Sequence, residues 1–238
     1  MGAGAYQGRV VLVTGSRRGV GRVISEHFLA GGATVIGFAR GTATFEHPRY
    51  RHLQVDLADP EAILNAFVTL RRDFPALHIL VNNAAALTSQ YALVMAPKAA
   101  REMVDTNLLA PFLVSREAAK LMRKGGWGRI INVSSMAVSL EPMGDSMYAA
   151  CKAGLHTLGQ ILAKEFASFG ITVNTLAVSA IETDMLAQLS PDKVREVVAG
   201  LPLPRMAQPD DILNVLDFFA SERSAYLTAQ TLWLGGVH

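Results

Sequence analysis

Arg9-Val10-Val11-Leu12-Val13-Thr14-Gly15-Ser16-Arg17-Arg18-Gly19-Val20-Gly21 is the stretch from which the fold is read. An apolar, β-branched run reads as a strand, and it breaks into a turn with three glycines and two arginines just before a helical pattern. Glycines at a strand-to-helix turn let the backbone approach a pyrophosphate and aim helix N–H groups at it. A tight turn that merely needs positive φ is the bland alternative. The placement directly after the first strand favours the dinucleotide reading, with Thr14, Gly15, Arg17, Arg18, Gly19, Val20 and Gly21 as candidate cofactor residues.

Working outward, four further runs read as strands: Thr34-Val35-Ile36-Gly37-Phe38, Ile79-Leu80-Val81, Arg129-Ile130-Ile131-Asn132-Val133 and Ile171-Thr172-Val173-Asn174. They are nearly continuous in hydrophobicity, which means burial on both faces and hence a parallel sheet. Helical patterns lie between them, near 20–31, 60–73, 97–123, 148–169 and 209–220. Asp59-Pro60-Glu61 and Gln208-Pro209-Asp210-Asp211 open two of them, with proline in the first turn and acids at the positive helix end. Repeated β-α-β units predict an α/β fold, a Rossmann-type doubly wound parallel sheet with ligands beyond the carboxyl ends of its strands. No repeat or linker divides the 238 residues, so one domain over 1–238 is expected. The segment between Arg40 and Val55 is short, and the helix usual after the second strand is expected to be absent or reduced.

Half of the residues are hydrophobic and 18% are charged, which favours a large core over disorder. A net charge of +2 with no Lys/Arg block makes no case for nucleic acid or a membrane surface. The apolar runs are strand-sized and the N-terminus lacks a signal-peptide pattern, so neither a membrane span nor export is expected. One cysteine excludes an internal disulfide and fits a reducing cytoplasm, and six scattered histidines lack metal-ligand spacing.

The second strand ends in Ala39-Arg40-Gly41. An NAD site would place an acid here for the ribose 2′-hydroxyl, whereas arginine suits a 2′-phosphate. Arg40, with Arg17 and Arg18 at the adjacent strand end, therefore points to NADPH/NADP rather than to solvated surface charge. Downstream, Tyr148 and Lys152 stand four residues apart, one turn apart on one helix face. A cation beside a tyrosine is expected to lower its pKa from about 10 and let it exchange a proton with a carbonyl or alcohol. Alone, such a pair arises by chance in many helices.

Thr14-Gly15-x-x-x-Gly19-x-Gly21 followed by Tyr148-x-x-x-Lys152 resembles the classical short-chain dehydrogenase/reductase family over essentially the whole chain. Asn82-Asn83-Ala84-Ala85 is similar to that family's Asn-Asn-Ala-Gly. Asn107 and Ser135 fall at the intervals of its catalytic asparagine and serine, and Ile181-Glu182-Thr183-Asp184-Met185 resembles the segment that closes over the nicotinamide. The resemblance implies that Tyr148 protonates a carbonyl oxygen that Ser135 polarises while NADPH delivers hydride. It implies that Lys152 lowers the pKa of Tyr148 and holds the ribose, and that Asn107 positions a water leading from Lys152 to solvent. It places Asp56 and Leu57 near adenine, Asn83 with Ala84 beside the ribose, and Ile181 and Thr183 at the carboxamide.

Within the family, Gly170-Ile171-Thr172-Val173-Asn174 and the 181–185 segment are similar to 3-oxoacyl-acyl-carrier-protein reductases. Where those carry basic residues to dock the acidic carrier, this chain has Gly126 and Phe169, with Arg123 and Lys124 near, which weakens a fatty-acid assignment. Ala177-Val178-Ser179-Ala180 replaces the frequent Pro-Gly and is expected to bring the Ser179 hydroxyl to the substrate pocket. Met136, Met143 and Met185 are candidate pocket walls, their flexible thioethers suited to an apolar or irregular substrate, while Met147 reads as core. Glu141 and Asp145 could meet a cationic group, although exposed loop acids are commoner. Cys151 reads as a packing residue.

The expected function is NADPH-dependent reduction of a ketone, β-ketoacyl or related, to a secondary alcohol, with a small-molecule or acyl-thioester carbonyl as substrate. The alternatives are a dehydrogenase of cyclic diols or secondary alcohols, and a regulatory protein that binds cofactor without turnover. Intact Asn107, Ser135, Tyr148 and Lys152 speak against the last. The resemblance also implies a homotetramer, or a homodimer, built from the helices near 97–123 and 148–169 and the C-terminal segment.

Overall fold

The computed structural model describes residues 4–182 and 191–237. Among these residues, seven parallel strands form one sheet in the order β3-β2-β1-β4-β5-β6-β7. They are β1 (Val10–Thr14), β2 (Thr34–Ala39), β3 (Tyr50–Gln54), β4 (Ile79–Asn82), β5 (Gly128–Ser135), β6 (Ile171–Val178) and β7 (Thr231–Trp233). The strand order reverses between β1 and β4, and at such a switch point the loops part and leave a crevice above the carboxyl ends.

Alternation along each strand divides the core in two. Leu12, Ile36, Phe38, Leu80, Ile130 and Val173 face the layer of α2 (Pro60–Asp73), α4 (Ala110–Met122) and α6 (Ser146–Phe166). Val11, Val13, Val35, Ile79, Val81, Ile131 and Leu176 face α1 (Gly19–Ala30) and α8 (Pro209–Ala220). Successive side chains point to opposite faces, so a strand covered on both must be apolar throughout. That is why the five strands read from the sequence are present.

β3 and β7 escaped that reading because they are the edges. Tyr-Arg-His-Leu-Gln of β3 has only β2 beside it and is half-exposed, and β7 spans three residues. β2 and β3 are joined without a helix, as the short segment after Arg40 implied. The helix expected over 97–123 is divided: α3 (Pro97–Val104) passes into a π-helical turn, Asp105–Leu109, before α4 begins with Pro111 in its first turn. Short α5 (Ala137–Leu140) and α7 (Pro191–Ala199) complete the named helices. No helix among the described residues is long and apolar enough to cross a membrane.

Candidate active site

A cleft of about 1250 Å³ opens at the switch point, above the carboxyl ends of β1, β2, β4, β5 and β6. The glycine turn forms one end of it. Gly15 has φ +68, and a Cβ there would stand 2.9 Å from Ala84 Cα; a Cβ on Gly21 would stand 2.2 Å from the Gly15 carbonyl oxygen. Only glycine permits this turn to close under the start of α1. That helix begins with no side-chain cap and no acid in its first turn, which leaves its N-terminal N–H groups and positive end toward an anion.

Of the residues expected to bind cofactor, Gly15, Arg17, Arg18, Gly19, Val20, Gly21, Asp56, Leu57, Asn83, Ala84 and Ile181 line this cleft. Thr14 does not. It is 2% exposed, and its hydroxyl accepts from the N–H groups of Asn83 and Ala84, each at 3.0 Å. It pins the end of β4 to the end of β1, a bracing role behind the wall, and the Asn83 side chain answers by donating to the Thr14 carbonyl at 2.9 Å. Arg40 lies on the cleft surface, where its guanidinium donates to Glu102 of α3 across the opening at 3.3 Å. Glu102 was not anticipated, since nothing local to α3 ties it to the end of β2.

At the other end, Ser135 closes β5 and Tyr148 and Lys152 face the cleft from α6. The Ser135 hydroxyl accepts from the Ala137 N–H at 3.1 Å and stands near enough to the Tyr148 phenol to pull its pKa down. Lys152 is 2% exposed, and its ammonium donates to the Val133 carbonyl at 2.8 Å, with Nζ 5.8 Å from the centre of the Tyr148 ring. The expected lowering of the Tyr148 pKa does not hold here. Burial pushes the phenol up to about 12, the nearby Ser135 hydroxyl pulls it back in part, and the charge of Asp145 adds to the rise. Burial also brings Lys152 down to about 8. Desolvation outweighs a cation that is itself buried and bonded elsewhere.

Asn107 sits in the π-helical turn and is fully buried. Its Nδ2 donates to the Ala86 carbonyl at 2.8 Å and its Oδ1 accepts from the Ala86 N–H at 2.9 Å. It does not line the cleft; its side-chain oxygen and one N–H clamp the chain leaving β4. Two residues that the sequence did not single out stand beside Lys152, Ser134 donating to its backbone carbonyl at 3.5 Å. Ser134 and His156 share a hydrogen bond of 2.6 Å, and burial, with the Lys152 charge, holds the His156 pKa down. The signal was available, because His156 follows Lys152 by one helical turn.

On the substrate side, Met136, Met143 and Ser179 line the cleft. Ser179 is 7% exposed, with its hydroxyl 3.8 Å from the Met136 sulfur. Without the usual proline, β6 continues through Val178, which pairs with Ser135. Met147 packs with Met103, Ala137 and Tyr148 as core. Glu141 is exposed and outside the cleft, but Asp145, expected as a solvent-exposed acid, is buried and lines it. Thr183, Asp184 and Met185 lie outside the described residues. Cys151 is buried, its thiol pKa raised by burial, as suits packing.

The chain is similar to known proteins in sequence and fold. The short chain dehydrogenase family matches residues 9–194. The 3-oxoacyl-[acyl-carrier-protein] reductase FabG of Escherichia coli (strain K12) is 35% identical over 237 residues, 97% of each chain. That of Aquifex aeolicus (strain VF5) is 35% identical over 240 residues, again 97% of each. A crystal structure described as a gluconate dehydrogenase from Agrobacterium tumefaciens superposes with a TM-score of 0.88 at 28% identity, covering 97% of this chain and 96% of that one. Ligand-free aldohexose dehydrogenase of Thermoplasma acidophilum gives a TM-score of 0.91 at 23% identity, covering 99% and 96%, a likeness of fold alone.

Proposed function

The chain belongs to the short-chain dehydrogenase family of oxidoreductases, and on that premise we propose that it reduces a ketone to a secondary alcohol with NADPH, Tyr148 being the proton donor. The observation that carries this reading is the buried Tyr148 phenol, which lines one cleft together with Ser135, Lys152 and the glycine turn. A phenol with its pKa near 12 stays protonated at neutral pH, which suits an acid in reduction better than a base in oxidation.

The bound coenzyme supplies the hydride. The start of α1 would take its pyrophosphate at the Gly15–Gly21 turn, and Arg17, Arg18 and Arg40 supply positive charge for a 2′-phosphate. Asp56 and Leu57 would border the adenine end, Asn83 and Ala84 the ribose, and Ile181 the nicotinamide. At the reacting end, Ser135 donates a hydrogen bond to the substrate oxygen and polarises the carbonyl. Tyr148 transfers its proton to that oxygen, and the Lys152 ammonium stabilises the phenolate left behind. Asn107 holds the 84–86 segment against α3 and α4, so it acts by positioning.

Similarity to proteins named 3-oxoacyl-[acyl-carrier-protein] reductase supports a β-ketoacyl or related carbonyl as substrate. The same groups run in reverse for alcohol oxidation, and the 28% identical protein described as a gluconate dehydrogenase favours keeping that second reading. We further propose that the whole chain is one cofactor-binding unit, cytoplasmic, and a homotetramer or homodimer through α4, α6 and the C-terminal segment; light scattering on the eluting protein checks the assembly. NADPH oxidation is to be followed over β-ketoacyl thioesters and cyclic ketones, and NADPH reduction of none of them sinks the reading. Turnover undiminished in Tyr148→Phe removes the proposed donor, and tighter binding of NADH than NADPH removes the 2′-phosphate argument.

A further inference from the structure

Asp145 is the residue that the reaction just described leaves unexplained. It lines the cleft three residues before Tyr148, is 6% exposed, and its Oδ1 is buried without a hydrogen-bond partner among the described residues. An unpaired buried carboxylate oxygen is costly, and such atoms are found paired in most folded proteins. Its position ahead of α6 offers no account, because the side chain caps none of that helix's N–H groups. The helix end favours a negative charge there but leaves the oxygen unbonded.

The backbone around Asp145 is tightly held. Its N–H donates to the Pro142 carbonyl at 3.1 Å, its carbonyl accepts from Ala149 at 2.8 Å, and the Gly144 carbonyl accepts from Gln90 at 2.8 Å. The carboxylate is thus presented beside the reacting end of the cleft at little further ordering cost. Among the described residues, the cations lining the cleft are elsewhere: Arg17, Arg18 and Arg40 at the cofactor end, and Lys152, whose ammonium is bonded to Val133. Asp145 lines the cleft, and a ligand there would meet its carboxylate with a slight turn of the side chain.

We infer that Asp145 is a specificity-determining residue whose carboxylate accepts a hydrogen bond from a donor group, a hydroxyl or an ammonium, carried by the substrate close to the carbonyl that is reduced. This rests on the ketone-reduction reading and narrows it. A β-ketoacyl chain has no such donor beside its keto group, whereas hydroxyketones and aminoketones do. Leu87, Leu140 and Met143 line the same cleft and suit the carbon skeleton around that polar point. Because the charge of Asp145 raises the Tyr148 pKa, a donor seated on it would also ease loss of the phenolic proton.

Binding of cyclohexanone, 2-hydroxycyclohexanone and 3-quinuclidinone, measured by calorimetry on the full chain with and without Asp145→Ala, tests the assignment without relying on turnover. At least one donor-bearing ketone is expected to bind the unaltered protein about tenfold or more tighter than cyclohexanone, an advantage that falls to within about twofold in the variant. An advantage for the hydroxyketone identifies a hydroxyl, and one for the quinuclidinone an ammonium. No advantage in the unaltered protein, or one that survives Asp145→Ala in full, overturns the inference. Asp145→Asn, which keeps the side-chain shape, carries the comparison for an ammonium ligand if the alanine variant does not fold. Failure of the reductase reading shows separately, as no NADPH oxidation with any of the three ketones.

Discussion

Replacing Gly21 by alanine tests the cofactor turn most directly. The added methyl would stand 2.2 Å from the Gly15 carbonyl oxygen, 2.5 Å from the Asn83 side-chain nitrogen and 2.8 Å from the Gly15 carbonyl carbon. Carbon atoms pack comfortably at about 3.5–4.0 Å, so the turn or the start of α1 must move by roughly an ångström. Two of the three obstacles are backbone, and the third is the side chain that donates to the Thr14 carbonyl, so no flexible group can simply swing away. Overpacking of this kind costs about 1–3 kcal/mol. In a chain of this size that lowers Tm by roughly 2–12 °C. The same displacement misaligns the helix N–H groups, and the Kd for NADPH, from its fluorescence on binding, should rise at least about tenfold. Gly125→Ala is the control, since nothing lies within 4 Å of a Cβ there. A Gly21→Ala protein with the original Tm refutes the clash, and one that loses stability but keeps its Kd refutes the placement of the pyrophosphate.

Asn107→Ala strips the partners of the half-buried Ala86 N–H and carbonyl and should cost about 1–3 kcal/mol in urea unfolding, while a cost under about 0.5 kcal/mol would contradict the clamp. The pH profile of kcat for reduction should fall above pH 8, since the Lys152 ammonium, with a pKa near 8, is charged below that pH and neutral above it; a profile flat from pH 7 to 9.5 would exclude Lys152 as the phenolate's counter-charge. Arg40→Ala should weaken NADPH about tenfold while leaving NADH within about twofold, and equal losses for both would show that Arg40 does not read the 2′-phosphate.

The central strands and the glycine turn were legible because each follows from local chemistry: buried parallel strands must be apolar throughout, and the turn beneath α1 has room for no Cβ at Gly15 or Gly21. The edges were not. β3 pairs on one side only, so Arg51 and Gln54 carry no cost and no pattern announces the strand. Pro111 hinted that the helix over 97–123 is interrupted, but the π-helical turn itself goes with the bonds from Asn107 to Ala86, twenty-one residues away.

Sequence alone determined that a glycine-rich turn, a tyrosine, a lysine and a serine occur in an α/β chain at intervals resembling those of one enzyme family. Tertiary structure decided what those groups feel. Tyr148 and Lys152, one turn apart, suggest a lowered phenol pKa. Burial reverses the sign, because the loss of water around the phenolate outweighs an ammonium that is itself desolvated and bonded to Val133. Asp145 and Glu141 are four residues apart and look alike as loop acids; packing leaves one exposed and encloses the other beside the reacting groups. Burial is a property of everything packed around a residue, and no local pattern records it.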